Sequence, residues 1–537
     1  MTEPDGLTRL AESYLDLRWH LDPVDGSGAG GASHDDRLGT FDADSVRQHV
    51  AALRALMHAI EEFDAPSLAD EVDRTALLYQ VRLDVHRYGT ERPHVRDPGF
   101  WVGHALEGLY QLLTVRDRPE AARARAVAAR LRAVPRLLDE ARATLCDCPV
   151  VLVEAAQDVA DAGVGLVDDV VEAFAGAGVN GGGPAEAAAR DALTAFRGHL
   201  ASLLRDGGDG HPAAAGEATL NFRLQCQHAV PATPPELLRY GVQLVQDVDR
   251  ALTTLAERLA PGRAWPDVMD ALRDAHPDPD DLVPAYEAEM ARARAFVREH
   301  DLVTVPDGAL EVRATPGYLR PVIPLAAYLP PGPLSADRTG RFFVSLPTGD
   351  AAERAAVLRD HCTHEIPGTA LHEGYPGHHL HFLALQAQPR VVRRFLTAPL
   401  TVEGWALYCE EMMGEEGFYR SVEERFFQQV ALLWRALRVV LDVGLHTGTL
   451  DVEAAVRLLQ DRLHFSRAHA VAEVRRTAAE PGYQLAYAVG RRELFALRDV
   501  YRARMGAAYT LRGFHDAVLG FGGLPVSLIR WGLELDG

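Results

Sequence analysis

TALHEGYPGHHLH, residues 369–381, is the densest run of chemistry-bearing side chains in this 537-residue sequence. Zinc-assisted hydrolysis needs neutral imidazoles to hold the metal and a neighbouring carboxylate to take a proton from water. His372-Glu373 followed by a further histidine on a helix supplies those parts, as in the H-E-x-x-H pattern. Here the second histidine comes late. In a straight helix His378 points about 120° away from His372, while His379 regains the face about 10.5 Å along the axis. Pro376 cannot donate to the carbonyl of His372, and Gly377 accepts unusual dihedrals. A kink or bulge at that pair is therefore expected to return His378 toward His372, with His379 as the alternative. With 22 histidines in the chain, such a cluster arises by chance in under roughly one sequence in a hundred. His361, His364 and His381 read as surface or satisfied core residues, although His364-Glu365 is a second His-Glu pair.

Moving toward the C-terminus, a third ligand is expected from another helix. TVEGWALYCEE (401–411) offers Thr401 as an N-cap and Glu403 in the first turn, where a carboxylate also answers the helix dipole. Glu410 lies seven residues on, on the same face, either behind the ligands or simply solvated. Residues 422–444 form an apolar helix carrying Arg438, Asp442 and His446 at four-residue spacing. One reading is an Arg438–Asp442 structural pair; the other has Asp442 orienting His446 toward an oxyanion. Beyond lie Glu473, Arg475, Arg476 and PGYQLAYAVG (481–490), with Tyr483 and Tyr487 on one helix face. A phenol there can donate to an oxyanion and an arginine can hold a substrate carboxylate. Spacing alone equally describes core aromatics and surface arginines.

Moving toward the N-terminus, residues 42–300 carry apolar positions at three- and four-residue spacing, as in 121–138, 154–174 and 234–259. The Gly-rich stretches 175–184 and 206–216 lack phosphate-loop spacing and read as connections between helices. Residues 310–313, 322–328 and 341–346 are β-prone and separated by Pro and Gly, which predicts a small strand-rich insert. The expectation is a mainly α protein: an N-terminal helical region (1–300), the β insert (301–350) and a helical zinc-binding region (351–537).

Composition narrows the function. The 55 basic residues are all arginine and face 76 acidic ones, a net charge of −21, which argues against nucleic acid or an anionic membrane as partner. The absence of lysine excludes Schiff-base and P-loop chemistry. Five scattered cysteines do not make a disulfide framework. No secretory signal or long apolar run is read, so a cytoplasmic location is expected.

HEGYPGHH (372–379), EGWALY (403–408), RVVLDVGLH (438–446) and PGYQLAYAVG (481–490), in this order, resemble the bacterial domain-of-unknown-function family 885. PGYLRP (316–321) and RFFVSLP (341–347) also resemble it, so the likeness spans at least residues 230–520. The resemblance implies a helical zinc-metallopeptidase-like fold akin to gluzincins. It implies zinc ligands His372, His378 and Glu403, Glu373 as general base, and Tyr487 and His446 as transition-state donors. Tyr483 departs from the family, standing where a glutamine is usual, and many family members look exported. The combined expectation is a zinc-dependent hydrolase of amide bonds in short peptides, with Arg438 and Arg476 on the substrate and Asp442 and Glu410 behind the site. The alternatives are hydrolysis of a small non-peptide amide, or a binding scaffold with a vestigial site.

Overall fold

The computed structural model describes residues 6–535 except 116, 178–182, 208–211, 317–319, 321–322 and 324. The Gly-rich connections at 175–184 and 206–216 therefore lie partly outside the described residues. The protein is mainly α, with one three-stranded sheet. Among the described residues no helix is long and apolar enough to cross a membrane.

The chain divides into two compact units. The first holds residues up to Ala215, with short excursions at 317–322 and 332–337. Its centre is four packed helices, Pro98–Thr114, Glu120–Thr144, Val150–Ala173 and Pro184–Gly207. Their apolar stripes bury Trp101, Leu109, Leu131, Val167 and Phe196 in one core. Asp42, Ser67 and Asp97 cap the helices that follow them by accepting backbone N–H bonds.

The second unit, from Gly216 onward apart from those excursions, contains every residue singled out above as chemical. The division falls at 215/216, not near residue 300. The reason is the amphipathic Pro234–Leu259 helix, whose Val245, Val248 and Leu252 share a core with Leu433, Leu437 and Leu441 of the Val422–His446 helix. The sheet is not a separate insert either. Strands β1 (Ala309–Ala314), β2 (Ala326–Leu329) and β3 (Thr339–Val344) have the order β1-β3-β2. β1 runs parallel to β3 and β2 antiparallel to it. Phe342 and Val344 of β3 pack with Tyr286, Met290, Ile366 and Ala370, so the sheet sits on the helix that bears His372. The predicted strand at 322–328 is observed from Ala326; residues 322 and 324 lie outside the described set.

Candidate metal centre

The helix carrying His372 does not kink; it stops. Ile366–Glu373 ends at Gly374, and a new helix, His378–Gln386, begins four residues later. The expected bulge is replaced by a turn because backbone groups close it: Gly377 N–H donates to the Leu371 carbonyl at 3.0 Å. A Cβ on Gly377 would collide with the carbonyls of Leu371 and His372, so only glycine fits. The Trp405 indole donates to the Pro376 carbonyl at 2.8 Å and pins the turn from the neighbouring helix. The result places the His372 and His378 rings edge to face, centroids 4.8 Å apart.

Glu403 arrives from the Pro399–Glu415 helix, which crosses the Ala486–Met505 helix at Gly404 and Gly490. A Cβ on either glycine would strike the other helix's backbone. This close crossing brings Glu403 beside the two tyrosines of the PGYQLAYAVG segment. One ligand-capable atom from each of His372, His378 and Glu403 lies within 4.8 Å of the others, and all three residues are buried.

Each of these groups is itself held. His372 Nδ1 donates to Glu410 Oε1 at 2.7 Å, which leaves Nε2 as the nitrogen available to a ligand. His378 Nε2 is 3.2 Å from Glu403 Oε2, and the Tyr483 hydroxyl donates to Glu403 Oε1 at 2.6 Å. Burial alone would raise the Glu403 carboxyl, but the His378 charge and the hydrogen bonds prevail and draw it down to about 2. Burial would also depress His378; its carboxylate neighbours, Glu403 first, raise it instead. Glu373 is half-buried, and among the described residues no hydrogen bond or ion pair engages its carboxylate.

His372, Glu373, His378, Glu403 and Glu410 line one cavity of about 460 Å³, together with Tyr483, Tyr487, Arg438 and Arg476. Arg438 is buried and grips Glu473 with two hydrogen bonds, 2.9 and 3.1 Å. Its partner is thus Glu473 from the Arg467–Ala479 helix, not Asp442. Arg476 reaches the same carboxylate at 3.2 Å and is exposed at its tip. Asp442 instead accepts the N–H groups of Gly482 (2.8 Å) and Leu485 (2.9 Å), fixing the turn that carries Tyr483. The expectation of His446 as an oxyanion donor is corrected. It is outside the cavity lining, with Nε2 donating to the Thr477 carbonyl at 2.9 Å. On this helix the cavity lining runs from Glu424 to Arg438, and His446 lies about 12 Å further along the axis.

The other histidines separate cleanly. His379 does not line the cavity and is hydrogen-bonded through Nδ1 to the Tyr328 hydroxyl at 3.0 Å; burial lowers it to about 4. His381 contacts the Gly522 carbonyl at 3.1 Å, and His361 contacts the Tyr286 hydroxyl and the Ser345 carbonyl. His364 and Glu365 line the cavity but do not belong to the three-residue cluster.

A family model described as a bacterial protein of unknown function, DUF885, matches residues 23–532. The chain belongs to the DUF885 family. No curated protein matches this DUF885 chain significantly by sequence. A solved structure of a candidate lipoprotein of unknown function from Shewanella oneidensis matches at TM-score 0.80 and 21% identity, covering 99% of this chain and 100% of that one. A candidate lipoprotein from Colwellia psychrerythraea matches at TM-score 0.82 and 18% identity, covering 98% and 99%. At these identities the likeness is one of fold. Within this DUF885 chain, sequence reasoning passed over Arg435 and missed the contact of Tyr483 with Glu403. Tyr483 was legible only as a face-mate of Tyr487, and Arg435 as one polar residue on a long apolar helix.

Proposed function

We propose that this site belongs to a zinc-dependent hydrolase that cleaves amide bonds in short peptides. The observation that carries the reading is the buried trio His372, His378 and Glu403, converging in a cavity that also presents the unengaged carboxylate of Glu373. Two imidazoles and one carboxylate are a donor set suited to zinc, and Glu410 behind His372 is the customary orienting carboxylate. Zinc held there would acidify a water and polarise the scissile carbonyl.

The chain's own residues have distinct tasks. Glu373 takes the proton from the attacking water and delivers it to the leaving amine. The Tyr487 hydroxyl, kept protonated because burial raises it, donates to the oxyanion. Tyr483 holds Glu403 in place, and Asp442 holds Tyr483 through the turn. Strand β2 has a strand neighbour on one side only among the described residues, and Ala326, Ala327 and Tyr328 line the cavity. An extended peptide can therefore add to its free edge. Phe342–Val344 belong to the central strand β3 and offer no free edge.

The test is zinc content per chain by elemental mass spectrometry on wild type and His372→Ala, followed by peptide-mixture digestion. About one zinc in the former, none in the latter, and cleavage lost in Glu373→Gln support the reading. No bound zinc after zinc is offered removes it. Zinc without turnover of any peptide or small amide returns the scaffold reading.

A further inference from the structure

The Arg435–Arg438 end of the cavity wall made by the Val422–His446 helix carries an excess of positive charge, whereas Glu424 at the other end is paired with Arg420. Arg435 and Arg438 stand one turn apart on this helix, and Arg476 joins them from the Arg467–Ala479 helix. Glu473 binds both Arg438 and Arg476, so one carboxylate answers two guanidiniums. Arg435 is left over. It is half-buried, stacks on the Trp434 ring at 4.7 Å, and makes no ion pair among the described residues. Its Nε is buried without a hydrogen-bond partner, and Nη1 has only a 3.4 Å contact to the Ala431 carbonyl. A partly desolvated guanidinium is costly unless an anion completes it. The nearby carboxyl of Glu365 feels the Arg435 charge without pairing with it, and burial pushes Glu365 upward toward its neutral form.

Position matters as much as charge. The Arg435 and Arg438 guanidiniums lie 6.0 and 4.7 Å from the Tyr487 ring. That ring is 6.2 Å from Tyr483, whose hydroxyl binds the ligand Glu403. The cationic wall and the metal centre thus flank the same two phenols. One extended residue spans about 3.5 Å, so an anion on this wall lies within a few residues of an amide at the centre.

We infer that Arg435 is the anchor for a substrate's free carboxylate, making the preferred substrates short peptides cleaved close to an unblocked C-terminus. This rests on the hydrolase reading above and adds its direction. Water adds across the amide: its hydroxyl ends on the new carboxyl of the acyl product, and its proton on the amine of the released C-terminal piece. A guanidinium accepts a carboxylate through paired charge-assisted hydrogen bonds and gains little from the neutral amide in its place.

The experiment uses the full-length, zinc-loaded Glu373→Gln chain, which holds peptides without turning them over. Binding of N-acetyl-trialanine as free acid and as C-terminal amide is measured by calorimetry, and zinc content is measured on the same samples. The acid is expected to bind about tenfold or more tighter than the amide. Adding Arg435→Gln should abolish that preference, and Arg435→Lys should restore part of it, with zinc content and circular dichroism unchanged in both. Equal binding of acid and amide, a preference that survives Arg435→Gln, or no binding of either at millimolar concentration overturns the inference. Those results leave the hydrolase reading standing if zinc is present. Zinc absent from every sample sinks that reading instead, whatever the carboxylate preference.

Discussion

Arg130 in the first unit and Arg435 in the second show two ways of treating a guanidinium. Arg130 is fully buried in the helix packing, and its donors reach the carbonyls of Arg37, His34 and Gly108 and the hydroxyl of Ser27. Burial lowers it to about 10, yet its hydrogen bonds are nearly complete. Arg435 lines a cavity and makes no ion pair among the described residues, and the unengaged Glu373 lines the same cavity. Buried polar groups are ordinarily satisfied. A saturated knot specifies a packing; an unsaturated one is finished by something that enters. The contrast separates structural from chemical charges more sharply than burial does.

The strongest way to break the contrast is at Glu373. Glu373→Gln should lower peptide turnover by about 10²–10⁴-fold while leaving zinc content and unfolding unchanged, read by steady-state kinetics and elemental analysis. A large loss of stability would mean that Glu373 belongs with Arg130 after all. The mirror experiment is Arg130→Met. It strands several buried carbonyls and should cost about 3 kcal/mol or more in urea unfolding, with zinc content per folded chain unaltered. Lost zinc with intact stability would invert the assignment of the two units.

A finer test lies between these extremes, at Tyr483. Its hydroxyl completes Glu403, so Tyr483→Phe should weaken zinc binding about tenfold in a chelator competition. Unchanged affinity would remove Tyr483 from the support of the ligand set.

The same contrast explains what could be read before the structure. That His372, His378 and Glu403 come together was legible from the His-Glu-x4-His spacing and from the family resemblance. The helical texture was legible from periodicity, and the three short strands from β-prone runs separated by Pro and Gly. The break at Gly374 was not, because a rotation argument presumes one continuous helix, whereas the turn is fixed by the Leu371 carbonyl and by Trp405 from another helix. The Arg438–Asp442 pair, one of the two readings left open, fails for a similar reason. Asp442 sits at i+4, but Glu473 comes from a helix whose approach no local pattern announces. Asp442 and His446 share a stripe with Arg438, but the cavity ends before the stripe does.

A further contrast concerns pH, where the Arg438–Glu473 pair differs from Arg130, which makes no ion pair among the described residues. Burial alone would raise the Glu473 carboxyl; the Arg438 charge and hydrogen bonds, with Arg476 and Trp434, hold it at about 2. A carboxyl depressed on folding contributes stability that is complete above its unfolded value of about 4.5. That contribution is lost as pH falls toward the folded value, because the unfolded chain takes up the proton first. Between pH 4.5 and 2 Glu473 should steepen the acid loss of stability by up to about 1.4 kcal/mol per pH unit. Denaturant titrations of wild type and Glu473→Gln across that range measure it. The variant starts lower, because Arg438 is stranded, but its slope should be shallower. Parallel slopes would mean that the pair titrates as it does in the unfolded chain, and that Arg438, like Arg130, is held by packing and neutral hydrogen bonds rather than by charge.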